Sequence, residues 1–214
     1  MDRLKKALEW VHRQTNLRTK QARMLSDGIQ GEFLQAFSLM TRPHSILEIG
    51  TFTGYSSICL SRGMTAGGHL DACEIDDELT DIIYGGWERA GIDATLFLGD
   101  ALETIPSLPG PYDIVYIDAD KRRYCQYYAM VFDKVRPGGW ILADNTAWSG
   151  RVISGFAPNA TLETAHSRRN RHDSQTEALI AFDSMIRSDS TITHITLPIR
   201  DGLTIIRKTD SNLF

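Results

Sequence analysis

A chain of 214 residues, 42% of them hydrophobic, can bury a sizeable core, and its length predicts one domain spanning 1–214. A net charge of -4 gives no general attraction to nucleic acid or to an anionic membrane. The three cysteines, Cys59, Cys73 and Cys125, lack CxxC spacing and read as buried free thiols suited to a reducing cytoplasm. The start is polar, without an apolar leader, and no stretch reaches the ~18 apolar residues of a membrane span, so an unexported, soluble protein is expected.

Leu4, Ala7, Leu8 and Val11 recur at i, i+3, i+4 and i+7, and Phe33, Leu34, Phe37 and Met40 give a second apolar face. Two helices therefore precede the first strand. From Ser45 onward, strands near 45–49, 69–73, 95–98, 112–117 and 140–143 alternate with helices near 55–64, 77–90, 101–105, 124–135 and 176–188. The alternation implies right-handed βαβ units and a mostly parallel sheet with helices on both faces. Trp140, on the fifth strand, reads as core, and Leu179, Phe182, Met185 and Ile186 as the buried face of the last helix. Residues 192–197 and 203–208, joined through Asp201-Gly202, read as an antiparallel hairpin that brings the sheet to seven strands. Between the fifth strand and the last helix, residues 154–174 lose periodicity and gather Arg168, Arg169 and Arg171. This segment reads as a flexible surface loop, or more sharply as a rim for an anionic substrate.

Residues 46–56 run from a strand through Gly50-Thr51-Phe52-Thr53-Gly54 into a helix. Glycines allow close backbone approach and positive φ, and a helix start presents free N–H groups, so a nucleotide-type ligand is implied. The spacing is Gly-x-x-x-Gly, not the Gly-x-Gly-x-x-Gly of dinucleotide sites. Glu74, ending the second strand, can accept both ribose hydroxyls of an adenosine, and Asp100 after the third could accept from its amino group. Helix capping is the competing reading of each carboxylate.

Two further apolar runs end in carboxylates: Tyr112–Ile117 leads to Asp118-Ala119-Asp120-Lys121, and Ile141-Leu142-Ala143 leads to Asp144-Asn145. Ligands of open α/β sheets bind at such strand ends. Asp118, Asp144 and Asn145 are oxygen donors suited to a hard divalent cation, magnesium first, with manganese or calcium as alternatives. All six histidines lie outside these motifs, which disfavours zinc or non-haem iron. Lys121 is the candidate general base, its pKa expected to be lowered by burial and a nearby cation. Trp148, with Ser149 beside it, could wall an aromatic acceptor.

These segments, with Arg136-Pro137-Gly138-Gly139, residues 144–152 and residues 197–204, resemble the class I S-adenosylmethionine-dependent, cation-dependent O-methyltransferases, the catechol and caffeoyl-CoA group. The resemblance runs in family order from about Met24 to the C-terminus. It implies a Rossmann-like methyltransferase fold and methyl transfer to a hydroxyl of a catechol-like molecule. It further implies cofactor contacts at Ser26, Glu48, Gly50, Thr51, Tyr55, Ser56, Glu74, Asp100, Ala101, Asp118, Asp120 and Tyr127. Metal ligation falls on Asp118, Asp144 and Asn145, and acceptor contacts on Lys121, Trp148 and Ser149. A cytoplasmic homodimer acting on small catechols is expected, since the N-terminal stretch looks short beside plant caffeoyl-CoA enzymes. The alternatives are methylation of hydroxylated uridine in tRNA, a nucleotide-binding oxidoreductase, and a non-catalytic binding module.

Overall fold

The computed structural model describes residues 2–152 and 174–210. The basic segment with Arg168, Arg169 and Arg171 lies outside the described residues. The chain divides into two compact units, Met1–Leu108 and Pro109–Phe214.

In the first unit, α1 (Arg3–Arg18) starts where the Asp2 carboxylate accepts from the Leu4 N–H at 3.2 Å. Its buried face is Ala7, Leu8, Val11 and Thr15. The second helix, α2 (Ile29–Thr41), stops at Arg42 in the left-handed region. Leu34 and Phe37 are buried, but Met40, expected on the same face, is 71% exposed. Next come β1 (Ser45–Ile49), α3 (Tyr55–Ser61), β2 (His69–Glu74), α4 (Thr80–Ala90), β3 (Ala94–Leu98) and the single turn α5 (Ala101–Thr104). The strands pair in parallel, Ile49 opposite Cys73 and Glu74 opposite Leu98, so their C-terminal ends line up.

The glycine pair Gly85-Gly86 lets α4 lie close against α1: a Cβ on Gly85 would stand 2.7 Å from the Trp10 ring, and one on Gly86 2.5 Å from a Val11 methyl. Side chains of this size would hold the helices farther apart.

The second unit holds β4 (Tyr112–Ile117), α6 (Tyr124–Phe132), β5 (Val135–Asp144), α7 (Ser174–Ser188), β6 (Ile192–Leu197) and β7 (Leu203–Lys208). β4 and β5 are parallel, whereas β7 runs antiparallel to both β5 and β6. The sheet has seven strands in the order β3-β2-β1-β4-β5-β7-β6, a Rossmann-like arrangement with a C-terminal antiparallel hairpin.

Four expectations need correcting. Strand β5 begins at Val135, ahead of the expected start near residue 140, because Val135 pairs with Tyr112 before a register shift. Helix α6 accordingly ends at Phe132. Trp140 is half-buried, not core, and its ring carries the Arg207 guanidinium at 5.2 Å from the neighbouring strand. On α7, Leu179, Phe182 and Ile186 are buried with Thr176, while Met185 is only half-buried.

Candidate active site

In the first unit, the turn after β1 is fastened to β2. Gly50 N–H and Thr51 N–H both donate to the Cys73 carbonyl, at 3.0 and 3.2 Å. Gly50 and Gly54 take φ of 89° and 81°, and Phe52 also lies at positive φ, 52°. The Glu74 carboxylate supports Phe52 by accepting its N–H at 2.5 Å, and it also accepts from Ile75 and Asp76 at 2.9 and 3.0 Å. Burial pushes the Glu74 carboxyl above its ordinary value, against the opposing pull of those three N–H groups.

Glu48 is fully buried and accepts from Thr51 Oγ1 at 3.2 Å and from Ser57 Oγ, tying strand, turn and helix α3 together. Asp100 does cap its helix, accepting from Leu102 N–H at 2.9 Å, with Ala101 buried behind it. Ser56 and Thr51 are buried in or just after the turn. Ser26 and Tyr55 meet across Gly31, where an added Cβ would lie 2.9 Å from both the Ser26 carbonyl oxygen and the Tyr55 ring. One support went unread in the sequence: Thr15 of α1 places its hydroxyl 2.9 Å from that of Thr53, inside the glycine turn. Its only sequence signal is the spacing that puts it on the buried face with Leu8 and Val11.

In the second unit, Ile117 is paired with Ala143, so Asp118 and Asp144 leave adjacent parallel strands side by side. Lys121, 8% exposed, donates to Asp118 Oδ1 and to the Tyr124 hydroxyl, each at 2.7 Å. Tyr124 Oη in turn donates to the Asp144 carbonyl at 2.8 Å. Tyr124 is fully buried at the start of α6. Asp144 accepts from Asn145 N–H at 2.8 Å and from Tyr116 Oη at 3.3 Å.

For the chain by itself the Lys121 pKa is raised, so the expected lowering rests on a bound cation. Burial does disfavour the ammonium, but Asp118, Tyr124 and Asp144 together hold the proton and raise the pKa above the lysine range. Asp120 is occupied by Arg122, whose guanidinium approaches both carboxylate oxygens within 3.2 Å and holds the carboxyl below its usual range. Tyr127 is buried on α6. Asn145, Trp148 and Ser149 all have positive φ, at 58°, 47° and 55°. Trp148 is half-buried, and its indole N–H is buried with no hydrogen-bond partner among the described residues; Ser149 is exposed.

Among the described residues, no three His, Cys, Asp or Glu side chains gather as a metal site. A cation at the strand ends would thus rest on two carboxylates and the Asn145 amide, with further ligands from outside the chain. That all-oxygen set suits magnesium, which keeps several positions for water or substrate. The ammonium already lodged against Asp118 shows that the strand ends favour positive charge.

A family model described as O-methyltransferase matches residues 2–209. The chain belongs to the O-methyltransferase family. A probable caffeoyl-CoA O-methyltransferase 2 of Dictyostelium discoideum is 32% identical over 192 residues, covering 86% of this chain and 78% of that one. A catechol O-methyltransferase of Niastella koreensis is 33% identical over 163 residues, 73% and 72% of the two chains. The Bacillus cereus O-methyltransferase crystallised in complex with SAH superposes with a TM-score of 0.79 at 26% identity, covering 98% of this chain and 91% of that one. This O-methyltransferase therefore uses S-adenosylmethionine, and the oxidoreductase and binding-module readings fall away.

Proposed function

We propose that this enzyme methylates a hydroxyl of a small catechol-type acceptor with the help of a divalent cation, magnesium first. The observation that carries the reading is the packing of Lys121 against Asp118 and Tyr124 beside Asp144, at the ends of two paired strands. The names of the curated relatives support it, since catechol and caffeoyl groups both carry vicinal hydroxyls.

At a pKa near 10, only about one phenol in a thousand is ionised at pH 7. A cation held by Asp118, Asp144 and Asn145 would supply charge stabilisation and alignment for the acceptor oxygens. Lys121 Nζ is placed to take the phenol proton once the ammonium has given up its own proton to solvent, a loss that a cation taking over Asp118 and Asp144 would favour. Trp148 offers a ring face, and its indole N–H a donor, to the acceptor, with Ser149 beside it. On the cofactor side, Glu74 accepts from the ribose diol and Asp100 from the adenine. Ser26, Glu48, Gly50, Thr51, Tyr55, Ser56 and Ala101 shape the cradle, and the family resemblance adds cofactor contacts at Asp118, Asp120 and Tyr127.

Exposed Leu17, Ile29 and Met40 on the N-terminal helices support a homodimer, and the free thiols a cytoplasmic setting. Among the described residues, no helix is long and apolar enough to cross a membrane. Arg122, which could otherwise face tRNA phosphates, is paired with Asp120. The test is a methyl-transfer screen of catechols, caffeate esters and hydroxylated tRNA, with and without magnesium. Turnover of catechols that EDTA abolishes and magnesium restores is expected. Full activity in excess EDTA would overturn the cation, and turnover of tRNA alone would overturn the acceptor.

A further inference from the structure

Four consecutive backbone N–H groups, those of Thr146, Ala147, Trp148 and Ser149, all donate to two residues of the turn between β6 and β7. Thr146 N–H reaches the Gly202 carbonyl at 2.9 Å, while Ala147 and Trp148 reach the Asp201 carbonyl at 2.9 and 3.2 Å. Ser149 N–H donates to the Asp201 carboxylate. The Thr146 hydroxyl adds contacts to the Gly202 carbonyl and, at 2.7 Å, to Thr204 Oγ1.

The fit leaves no room for a side chain at Gly202: at its φ of 92°, a Cβ would stand 2.4 Å from the Ala147 Cβ and 2.6 Å from the Ala147 nitrogen. The segment so held passes through positive φ at Asn145, Trp148 and Ser149. Residues with side chains avoid that region unless their surroundings hold them in it, and at Trp148 and Ser149 the hairpin turn holds the backbone N–H groups.

We infer that the β6–β7 turn, through Asp201 and Gly202, is a specificity-determining element that fixes the Trp148–Ser149 segment against the acceptor and so selects which hydroxyl is methylated. The inference rests on the proposed acceptor role of Trp148 and Ser149. Asp201 is a positioning residue, since it acts through the backbone of its neighbours. Regiochemistry is sensitive to it because two vicinal hydroxyls differ in position by only a few ångströms, and a small shift of the aromatic wall exchanges them.

The test is Asp201→Ala, which removes the carboxylate contact to Ser149 but keeps both carbonyl contacts and hence the fold. It is compared with Asp201→Asn and Trp148→Ala on the unsymmetrical catechol that the full-length enzyme turns over fastest. For Asp201→Ala the acceptor KM should rise about tenfold and the ratio of the two methylated regioisomers move toward one, while kcat changes less. Binding of S-adenosylhomocysteine by calorimetry should stay within about twofold. Asp201→Asn, which keeps an oxygen acceptor for the Ser149 N–H, should restore most of the wild-type ratio.

An unchanged ratio and acceptor KM in Asp201→Ala, with Trp148→Ala altering both, would overturn the role of the turn and leave the acceptor reading standing. No effect from Trp148→Ala would overturn the acceptor reading itself. Loss of cofactor affinity in step with the acceptor KM would also count against the inference, marking general damage.

Discussion

Glu74 serves two purposes that pull in opposite directions with pH. Its carboxylate holds Phe52 and the start of the next segment through three N–H contacts, yet burial raises its pKa. For an acid, a raised folded-state value means that the proton favours the folded chain. Its share of stability is therefore fully present below the ordinary glutamate value and lost as pH rises through the raised one. Binding of the ribose diol has the opposite sign, because it needs the ionised form. S-adenosylhomocysteine affinity should thus weaken on acidification at a pH above that of an ordinary glutamate, and Glu74→Gln should bind more weakly with the pH dependence flattened. A wild-type affinity unchanged down to pH 4 in calorimetry would remove Glu74 from the ribose. Lys121 makes a kinetic prediction: Lys121→Met should lower kcat by about 10²–10⁴ with little change in KM, as expected for a lost general base. A catechol made acidic by an electron-withdrawing group should suffer less. Equal losses on both acceptors would reduce Lys121 to a structural partner of Asp118 and Tyr124.

At the scale of elements, α4 sets two known effects against each other. Gly86 lies inside a helix, where Ala is favoured by about 0.5–1 kcal/mol. A Cβ there would meet a Val11 methyl at 2.5 Å, and the stiff, branched valine cannot swing aside, so overpacking costs about 1–3 kcal/mol. Overpacking should win: Gly86→Ala should lower Tm, and Gly86→Ala with Val11→Ala should recover part of the loss. An increase in Tm from the single change would mean that α1 yields easily. The same contact shows the limits of the sequence. Periodicity and strand-end carboxylates were enough to place α1, β1, β4 and the hairpin, and to nominate Asp118, Lys121, Glu74 and the glycine turn. Contacts between distant segments left no local signature, so the Thr15 hydroxyl beside Thr53 and the Asp201 carbonyl under Trp148 went unread. Strand β5 was read too short for a related reason, because its first pairing partner, Tyr112, lies on another strand.

For the whole molecule, the open question is whether the units Met1–Leu108 and Pro109–Phe214 fold as one. We expect a single cooperative domain, because one seven-stranded sheet order takes in strands from both units, and a strand deprived of a neighbour exposes unpaired N–H and C=O groups. Hydrogen exchange followed by mass spectrometry over a urea series tests this without altering any residue. Peptides from β1 and β2 should lose protection at the same urea concentration as those from β4 and β5. S-adenosylhomocysteine at about 100 times its Kd should stabilise the folded chain by about 2.7 kcal/mol, since it binds only that state. In a single domain the shift must appear equally in both sets of peptides, including those from β5 and β7 that carry none of the glycine turn. A shift confined to the β1 and β2 peptides, or two separate midpoints without ligand, would mean that the chain folds as two domains.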